Sequence, residues 1–388
     1  MENITVIGVG KLGLGFALIL ERIGYNVLGV DVFPQYVDQL NAKTTTFAEP
    51  QYNELLQSAQ NFRATTNLQE GLAHSDLIFI LVQTPNGGGQ KFYDHGILSN
   101  LLEKINRLQP NNKHFIIGCT IMPHYIDQIA TPLLQDSANC SISYNPEFVA
   151  QGDIINGFEN PDIILVGTDK PDILTPILTQ IYNRMTKTQP IFSFMTPLEA
   201  EIVKISLNGF ITTKISFANM ISDLCDNVGA DKFRVLRAIG ADSRIGRKYF
   251  NPGLSYGGPC FPRDTRALKQ LLDQHHVQSN ILHSTTQYNE EHIQRHADQL
   301  VSTNITLKMK TKDIVGCEWI NETDEFVFTN VCYKPGSSIP IIEESAKLKI
   351  AEVIVKKYKK RVTIQDSKEI LSEVIKEYGS LFDYKVTP

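Results

Sequence analysis

Cys260 stands in the stretch Tyr256-Gly257-Gly258-Pro259-Cys260-Phe261-Pro262-Arg263-Asp264, with two glycines and two prolines around it. These residues bend the backbone on both sides, so the thiol is expected on a turn and not within a helix or a central strand. Arg263 and Asp264 give it the polar company of a reactive thiol; the competing reading is a structural cysteine buried in a Gly/Pro loop. Lys204 and Asn208 lie four residues apart in an apolar helical pattern, hence on one face. An ammonium there needs a partner, and a structural contact and a catalytic one both remain open. Glu147, between Pro146 and Phe148, is poorly placed for simple solvation.

Several of these groups need a rim to stand on. Ile4-Thr5-Val6-Ile7 predicts a buried strand that runs into Gly8-Val9-Gly10-Lys11-Leu12-Gly13 and then an apolar helix through Ile23. Strand, G-x-G-x-x-G and helix form the dinucleotide-binding arrangement: a tight turn, a close backbone approach for a pyrophosphate, and close helix packing. The next strand, Asn26 to Val30, ends at Asp31, whose carboxylate can accept from a ribose hydroxyl. Val32-Phe33-Pro34-Gln35 supplies no cation for a 2′-phosphate, so NAD is expected over NADP. Leu77 to Val82 leads to Thr84-Pro85, Phe115 to Ile117 to Cys119-Thr120, and Ser141 to Tyr144 to Asn145-Pro146-Glu147-Phe148. The pattern is that of an α/β fold with a doubly wound parallel sheet. Thr84, Thr120 and Glu147 would then lie at the carboxyl ends of strands, where ligands bind; for the two threonines, turn chemistry is an equal reading.

Thr196-Pro197-Leu198-Glu199 reads as a capping box with proline in the first turn. The apolar run after it, to about Val228, predicts a long buried helix that connects domains and pairs subunits. Helices are expected over 231–246, 265–276 and 284–301, and a small second α/β unit follows: a strand at 326–332, a helix at 343–358, a strand at 362–364 and a helix to 378. The basic run 308–312 reads as a solvated linker. Lys334, on a glycine-containing loop, could meet a phosphate.

The chain has 388 residues, 42% hydrophobic and 20% charged, with a net charge of −5. That length exceeds one ordinary core, and the charge argues against nucleic acid and anionic membranes as partners. The opening does not read as a secretory signal and no apolar run reaches bilayer length. Six scattered cysteines without Cys-x-x-Cys suit reduced thiols in a cytoplasmic protein and argue against a metal site.

Taken in order, Gly8-x-Gly10-x-x-Gly13, Thr84-Pro85, Thr120, Asn145-Pro146-Glu147-Phe148, Lys204-x-x-x-Asn208 and the stretch around Cys260 give a sequence that resembles the UDP-glucose/GDP-mannose dehydrogenase family over residues 1 to about 300. The resemblance implies two Rossmann-like domains joined by a long central helix, with a helical middle region. It sets the domains at 1–195 (NAD), 196–302 (central helix, dimerisation and catalysis) and 303–388 (nucleotide sugar). It implies a homodimer through that helix, NAD as cofactor, and oxidation of a sugar alcohol through aldehyde to acid. Cys260 would be the nucleophile, Glu147 the base that activates water, and Lys204 and Asn208 the oxyanion donors. Asp264 would assist deprotonation of the alcohol or set the charge of the lysine. Thr120 would serve cofactor and catalysis, with Leu12 and Thr84 beside the cofactor. Glu147, Lys204, Asn208, Arg244, Tyr249, Gly257 and Lys334 would contact the nucleotide-sugar substrate.

Three departures bear on this. Gln151 stands where many members carry a second Glu, Glu343-Glu344-Ser345 replaces Arg-Glu-Ser, and the last domain is short. The expected substrate is UDP-glucose. Phe148 departs from the Arg of the N-acetylhexosamine branches, and the short last domain leaves little chain for a guanine pocket; GDP-mannose or a UDP-N-acetylhexosamine is the alternative. A two-electron β-hydroxyacid dehydrogenase would have no use for Cys260, and a non-catalytic nucleotide-binding regulator would not need the full set of polar residues.

Overall fold

The computed structural model describes residues 2–85, 93–306, 317–320, 325–334 and 339–387. The basic run 308–312 lies outside them. The chain divides into two compact units, 1–204 and 205–388.

The first unit is built on an eight-stranded sheet: β1 (Asn3–Ile7), β2 (Asn26–Val30), β3 (Phe62–Thr65), β4 (Leu77–Ile80), β5 (His114–Ile117), β6 (Ser141–Tyr144), β7 (Ile163–Gly167) and β8 (Ile191–Met195), in the order β3-β2-β1-β4-β5-β6-β7-β8. Val6 of β1 is registered with Gly29 of β2 and Phe79 of β4. Strands flanked on both sides must be apolar on both faces, and Ile4, Val6, Ile7, Ile78, Phe79 and Ile80 are all buried. The sheet departs from the expected all-parallel form at β7, which runs antiparallel to β6. Between these strands lies one six-residue helix, Ile154–Glu159, about 9 Å long, too short to carry the chain back for a parallel crossover.

The central helix, Pro197–Val228, has 32 residues, or about 48 Å at 1.5 Å per residue. Its start is the capping box read from sequence: Thr196 N–H and Oγ1 donate to Glu199 Oε2 at 2.8 and 2.7 Å, and Glu199 N–H donates back to Thr196 Oγ1 at 3.4 Å.

In the second unit, helices Lys232–Ala241, Phe261–Gln274 and Asn280–Thr306 precede a four-stranded sheet of β9 (Cys317–Ile320), β10 (Glu325–Thr329), β11 (Arg361–Asp366) and β12 (Asp383–Val386), ordered β12-β11-β10-β9. β10, β11 and β12 are parallel and are joined through helices Ala346–Tyr358 and Lys368–Tyr378, a strand–helix alternation of Rossmann type. β9 pairs antiparallel with β10. The sequence predicts a start at Glu343 for the first of these two helices, Ala346–Tyr358. Ser345 caps it instead, accepting from Leu348 N–H at 3.4 Å and donating to Val331 O at 2.7 Å. Phe326, Phe328, Val362 and Ile364 form the core of this sheet with Ile293, Ala297 and Val301 of the long helix before it.

Candidate active site

In the first unit, Gly8, Asp31, Thr84, Thr120 and Glu147 each follow β1, β2, β4, β5 and β6 respectively, all parallel, so they share the carboxyl edge of the sheet. The strand order reverses between β1 and β4, which is where α/β sheets open a crevice. The three fingerprint glycines differ in what surrounds them. Gly8 has φ +88°, and a Cβ there would meet Leu81 O at 2.6 Å; a Cβ on Gly13 would collide with the carbonyl oxygen of Gly8. Around Gly10 nothing lies within 4 Å of such a Cβ, so its backbone is open to a ligand.

Gly10 also begins the helix Lys11–Arg22, whose first turn has no acidic residue and no side-chain cap, leaving amide donors for an anion. Tyr36 Oη donates to Val9 O at 2.9 Å and Tyr52 Oη donates to Lys11 O, fixing the loop on either side. Beyond Asp31, Val32 and Phe33 are exposed, as suits an adenosine with a free 2′-hydroxyl and not a 2′-phosphate. These residues fit NAD, whose pyrophosphate would meet Gly10 and the helix start and whose ribose would meet Asp31.

Also in this unit, Lys204 Nζ donates to the backbone carbonyl of Glu147 and lies 4.3 Å from the ring centroid of Phe148. The partner that a lysine in an apolar helix requires is therefore the Asn145–Phe148 loop. Glu147 is pushed up to about 8, first by burial, against the opposing charge of Lys204. Tyr182 Oη lies 2.6 Å from Asn145 Oδ1 and 3.2 Å from Glu147 Oε1. One turn before Lys204, the buried Glu201 accepts from the amides of His124 and Ile126 at 2.7 and 2.9 Å and so holds the loop that follows Thr120; burial raises it to about 7.

In the second unit, Cys260 is exposed and is the residue at which the 14-residue helix Phe261–Gln274 begins, with Pro262 in its first turn. Asp264 N–H donates to Cys260 O at 2.8 Å, closing that turn. The buried Asp264 accepts from Asn208 Nδ2 at 2.6 Å, and Thr212 and Thr265 hydroxyls meet at 2.9 Å. The central helix thus grips the cysteine helix along one seam, and a Cβ on Gly209 would stand 2.8 Å from Leu268. Tyr249, at φ +59°, sets its ring edge-on to Phe261, at 5.9 Å between centroids.

The turn before Cys260 is held from the far side. Asn289 pairs with the backbone of Tyr256, accepting from its N–H at 2.8 Å and donating to its carbonyl at 3.0 Å. A Cβ on Gly257 would collide with Glu344 O, and Gly258, with φ +83°, faces the Tyr333 ring closely enough to exclude one. Gly257 is therefore required for packing. Lys334 follows Tyr333 directly and is exposed. Glu344 pairs with Arg266 at 3.1 Å and with Lys349, and Ser345 caps the helix that follows, while Glu343 is exposed.

Within units, Lys204 comes together with Glu147, and Asn208 with Asp264 and the start of the cysteine helix. Arg244 does not join them: it is exposed and paired with Asp242 at 2.7 Å. Gln151 is half-buried, and its Oε1, shut off from solvent, has no hydrogen-bond partner among the described residues. Sequence reasoning missed Tyr182, Asn289, Glu201 and the Glu344–Arg266 pair. Glu201 was open to the same argument as Lys204, a charged side chain in an apolar helix. Tyr182 and Asn289 sit in ordinary helical patterns and carry no such signal. Among the described residues no cluster of His, Cys, Asp and Glu could hold a metal ion, and no helix is long and apolar enough to cross a membrane.

Two sequence profiles match, described as the NAD-binding and central domains of the UDP-glucose/GDP-mannose dehydrogenase family, over residues 2–186 and 198–291. The UDP-glucose 6-dehydrogenase of Rhizobium meliloti is 31% identical over 297 residues, 74% of this chain and 67% of that protein. A UDP-glucose dehydrogenase from the archaeon Pyrobaculum islandicum superposes with TM-score 0.84 at 26% identity, covering 99% of this chain and 86% of that one. A GDP-mannose dehydrogenase from Pseudomonas aeruginosa gives TM-score 0.57 at 25% identity over 97% and 84%.

Proposed function

The chain belongs to the UDP-glucose/GDP-mannose dehydrogenase family, and from that premise we propose that it oxidises UDP-glucose to UDP-glucuronate, reducing two NAD for each sugar. Bound NAD would supply a hydride acceptor at the carboxyl edge of the first sheet. The residues of the chain do the rest. Asp264, hydrogen-bonded to Asn208, assists removal of the alcohol proton as the first hydride leaves. The Cys260 thiolate adds to the aldehyde carbon, and the oxyanion so formed is met by Lys204 and Asn208, each good donor contributing about 3 kcal/mol. Loss of the second hydride leaves a thioester on Cys260. Glu147, ionised, takes a proton from water as the hydroxyl adds, and the acyl–sulfur bond breaks to release the acid and regenerate the thiol.

The observation that carries this reading is the exposed Cys260 at a helix N-terminus, where negative charge is favoured, with Asp264 one turn on. Phe148 favours UDP-glucose over UDP-N-acetylhexosamines, because it cradles the Lys204 cation where those branches carry Arg. Arg244, Tyr249, Gly257 and Lys334 remain proposed substrate contacts. Exposed Phe210, Phe217, Leu224 and Val228 on the central helix support a homodimer through it, and the scattered cysteines a cytoplasmic protein.

Intact-mass measurement tests the mechanism. Glu147→Gln with UDP-glucose and NAD should accumulate an acyl adduct on Cys260, and the wild type should release two NADH per sugar. One NADH with an aldehyde product would sink the thioester route. A higher kcat/KM for GDP-mannose than for UDP-glucose would overturn the substrate while leaving the chemistry.

A further inference from the structure

Tyr182 is buried, and with it Asn145, 1% and 2% exposed. A phenol carries one hydrogen, yet two acceptors face this one: Asn145 Oδ1 at 2.6 Å and Glu147 Oε1 at 3.2 Å. Which of them takes it is decided one bond further out. Asn145 Nδ2 donates to Leu165 O at 2.9 Å, a backbone carbonyl that can only accept, so the amide cannot turn over and its Oδ1 must face the phenol. Oδ1 can only accept as well. The shorter contact therefore holds the phenol hydrogen, and burial keeps the phenol un-ionised. What Tyr182 offers Glu147 is its oxygen lone pair, which is satisfied when Glu147 is the protonated acid and donates.

We propose that Tyr182 is a positioning residue that favours Glu147 as a carboxylic acid, through a one-way chain from Glu147 Oε1–H to Tyr182 Oη–H to Asn145 Oδ1. The inference rests on the assignment of Glu147 as the hydrolytic base. A carboxyl bonded in its neutral form titrates late, which places its proton release near neutrality, where a general base is most effective. The only ionisable groups facing Glu147 among the described residues are Tyr182, from helix Pro171–Met185, and Lys204, from the central helix. Lys204 acts in the opposite sense, because its charge favours the carboxylate. Burial raises the proton affinity of Glu147 first, and these two opposing contacts adjust it.

The two possible directions of the Tyr182–Glu147 bond predict opposite results. If Glu147 donates, Tyr182→Phe removes an acceptor of the acid and the midpoint of Glu147 falls. If Tyr182 donates, the same change removes a donor to the carboxylate and the midpoint rises. The measurement is an infrared titration of the full-length protein, taking the carboxylic-acid band lost in Glu147→Gln as the Glu147 signal, and it needs no turnover. The expected result is a downward shift of about one pH unit, a tenfold change in proton affinity. Single-turnover hydrolysis of the thioester formed from UDP-glucose and NAD should show its acid limb displaced by the same amount, with a lower plateau and an unchanged KM.

An unchanged or raised midpoint overturns the proposal. Should Tyr182→Phe not fold, neutron diffraction of the deuterated wild type below the midpoint decides it: deuterium on Glu147 pointing to Tyr182 supports the chain, and the Tyr182 deuterium directed at Glu147 refutes it. If Glu147→Gln keeps wild-type turnover, the assignment of the base fails, while the infrared result still judges the hydrogen-bond direction.

Discussion

Charged side chains in apolar surroundings are stable only with specific partners, and Glu147 and Lys204 show both sides of that rule. Burial lifts Glu147 to about 8 from the ordinary 4.5. Between those values the folded state binds the proton that the unfolded chain has lost, so wild-type stability falls as pH rises through this window. Glu147→Gln has no such term. Its melting temperature should match the wild type near pH 4, pull ahead as pH rises, and hold a constant lead above pH 8; calorimetric scans across that range check it. Lys204 is held by a carbonyl and the face of Phe148, a cation–π contact of about 1 kcal/mol. Phe148→Arg sets a second cation against it, and kcat/KM for UDP-glucose should fall at least tenfold in steady-state assays. The need of Lys204 for a partner was legible in the sequence, from an ammonium among apolar residues. The identity of that partner was not, because Phe148 lies 56 residues away and reaches it only through the fold of the sheet.

At the scale of elements, the features read correctly were those encoded within one turn or one strand. The fingerprint, the capping box at Thr196 and the length of the central helix all depend on neighbours in sequence. The antiparallel β7 and the pairing of β9 and β12 depend on where the chain is when it arrives at the sheet, and short strands carry little pattern of their own. The fingerprint glycines allow a contrast between fold and ligand. Gly10→Ala should leave the melting temperature near wild type and weaken NAD binding, since the added methyl meets only open space that the pyrophosphate would need. Gly13→Ala should lower both, because its methyl collides with the Gly8 carbonyl. Thermal melts and titration calorimetry on the two variants separate these outcomes; equal effects would remove the distinction.

For the molecule as a whole, the central helix leaves Phe210, Phe217, Leu224 and Val228 exposed, the first three at intervals of seven residues. A soluble helix that keeps such a stripe generally has a partner for it. The proposed partner is the same stripe on a second copy. Phe217→Ser with Leu224→Glu should turn a dimer into a monomer in sedimentation velocity, and an unchanged sedimentation coefficient would place the interface elsewhere. Stripe and helix were both visible as an apolar pattern, whereas which residues stay uncovered depended on the packing of helices Phe261–Gln274 and Asn280–Thr306 in the second unit.

Two phenols hold the carbonyls of Val9 and Lys11, on either side of Gly10. A loop tied in this way has surrendered its backbone freedom when the protein folds, so a phosphate arriving there has no further disorder to remove. Losing one tie should then appear in the heat of binding in a characteristic form. Tyr36→Phe would keep the enthalpy of NAD association nearly constant and make its entropy less favourable, the mark of a site whose fit is set before the ligand comes.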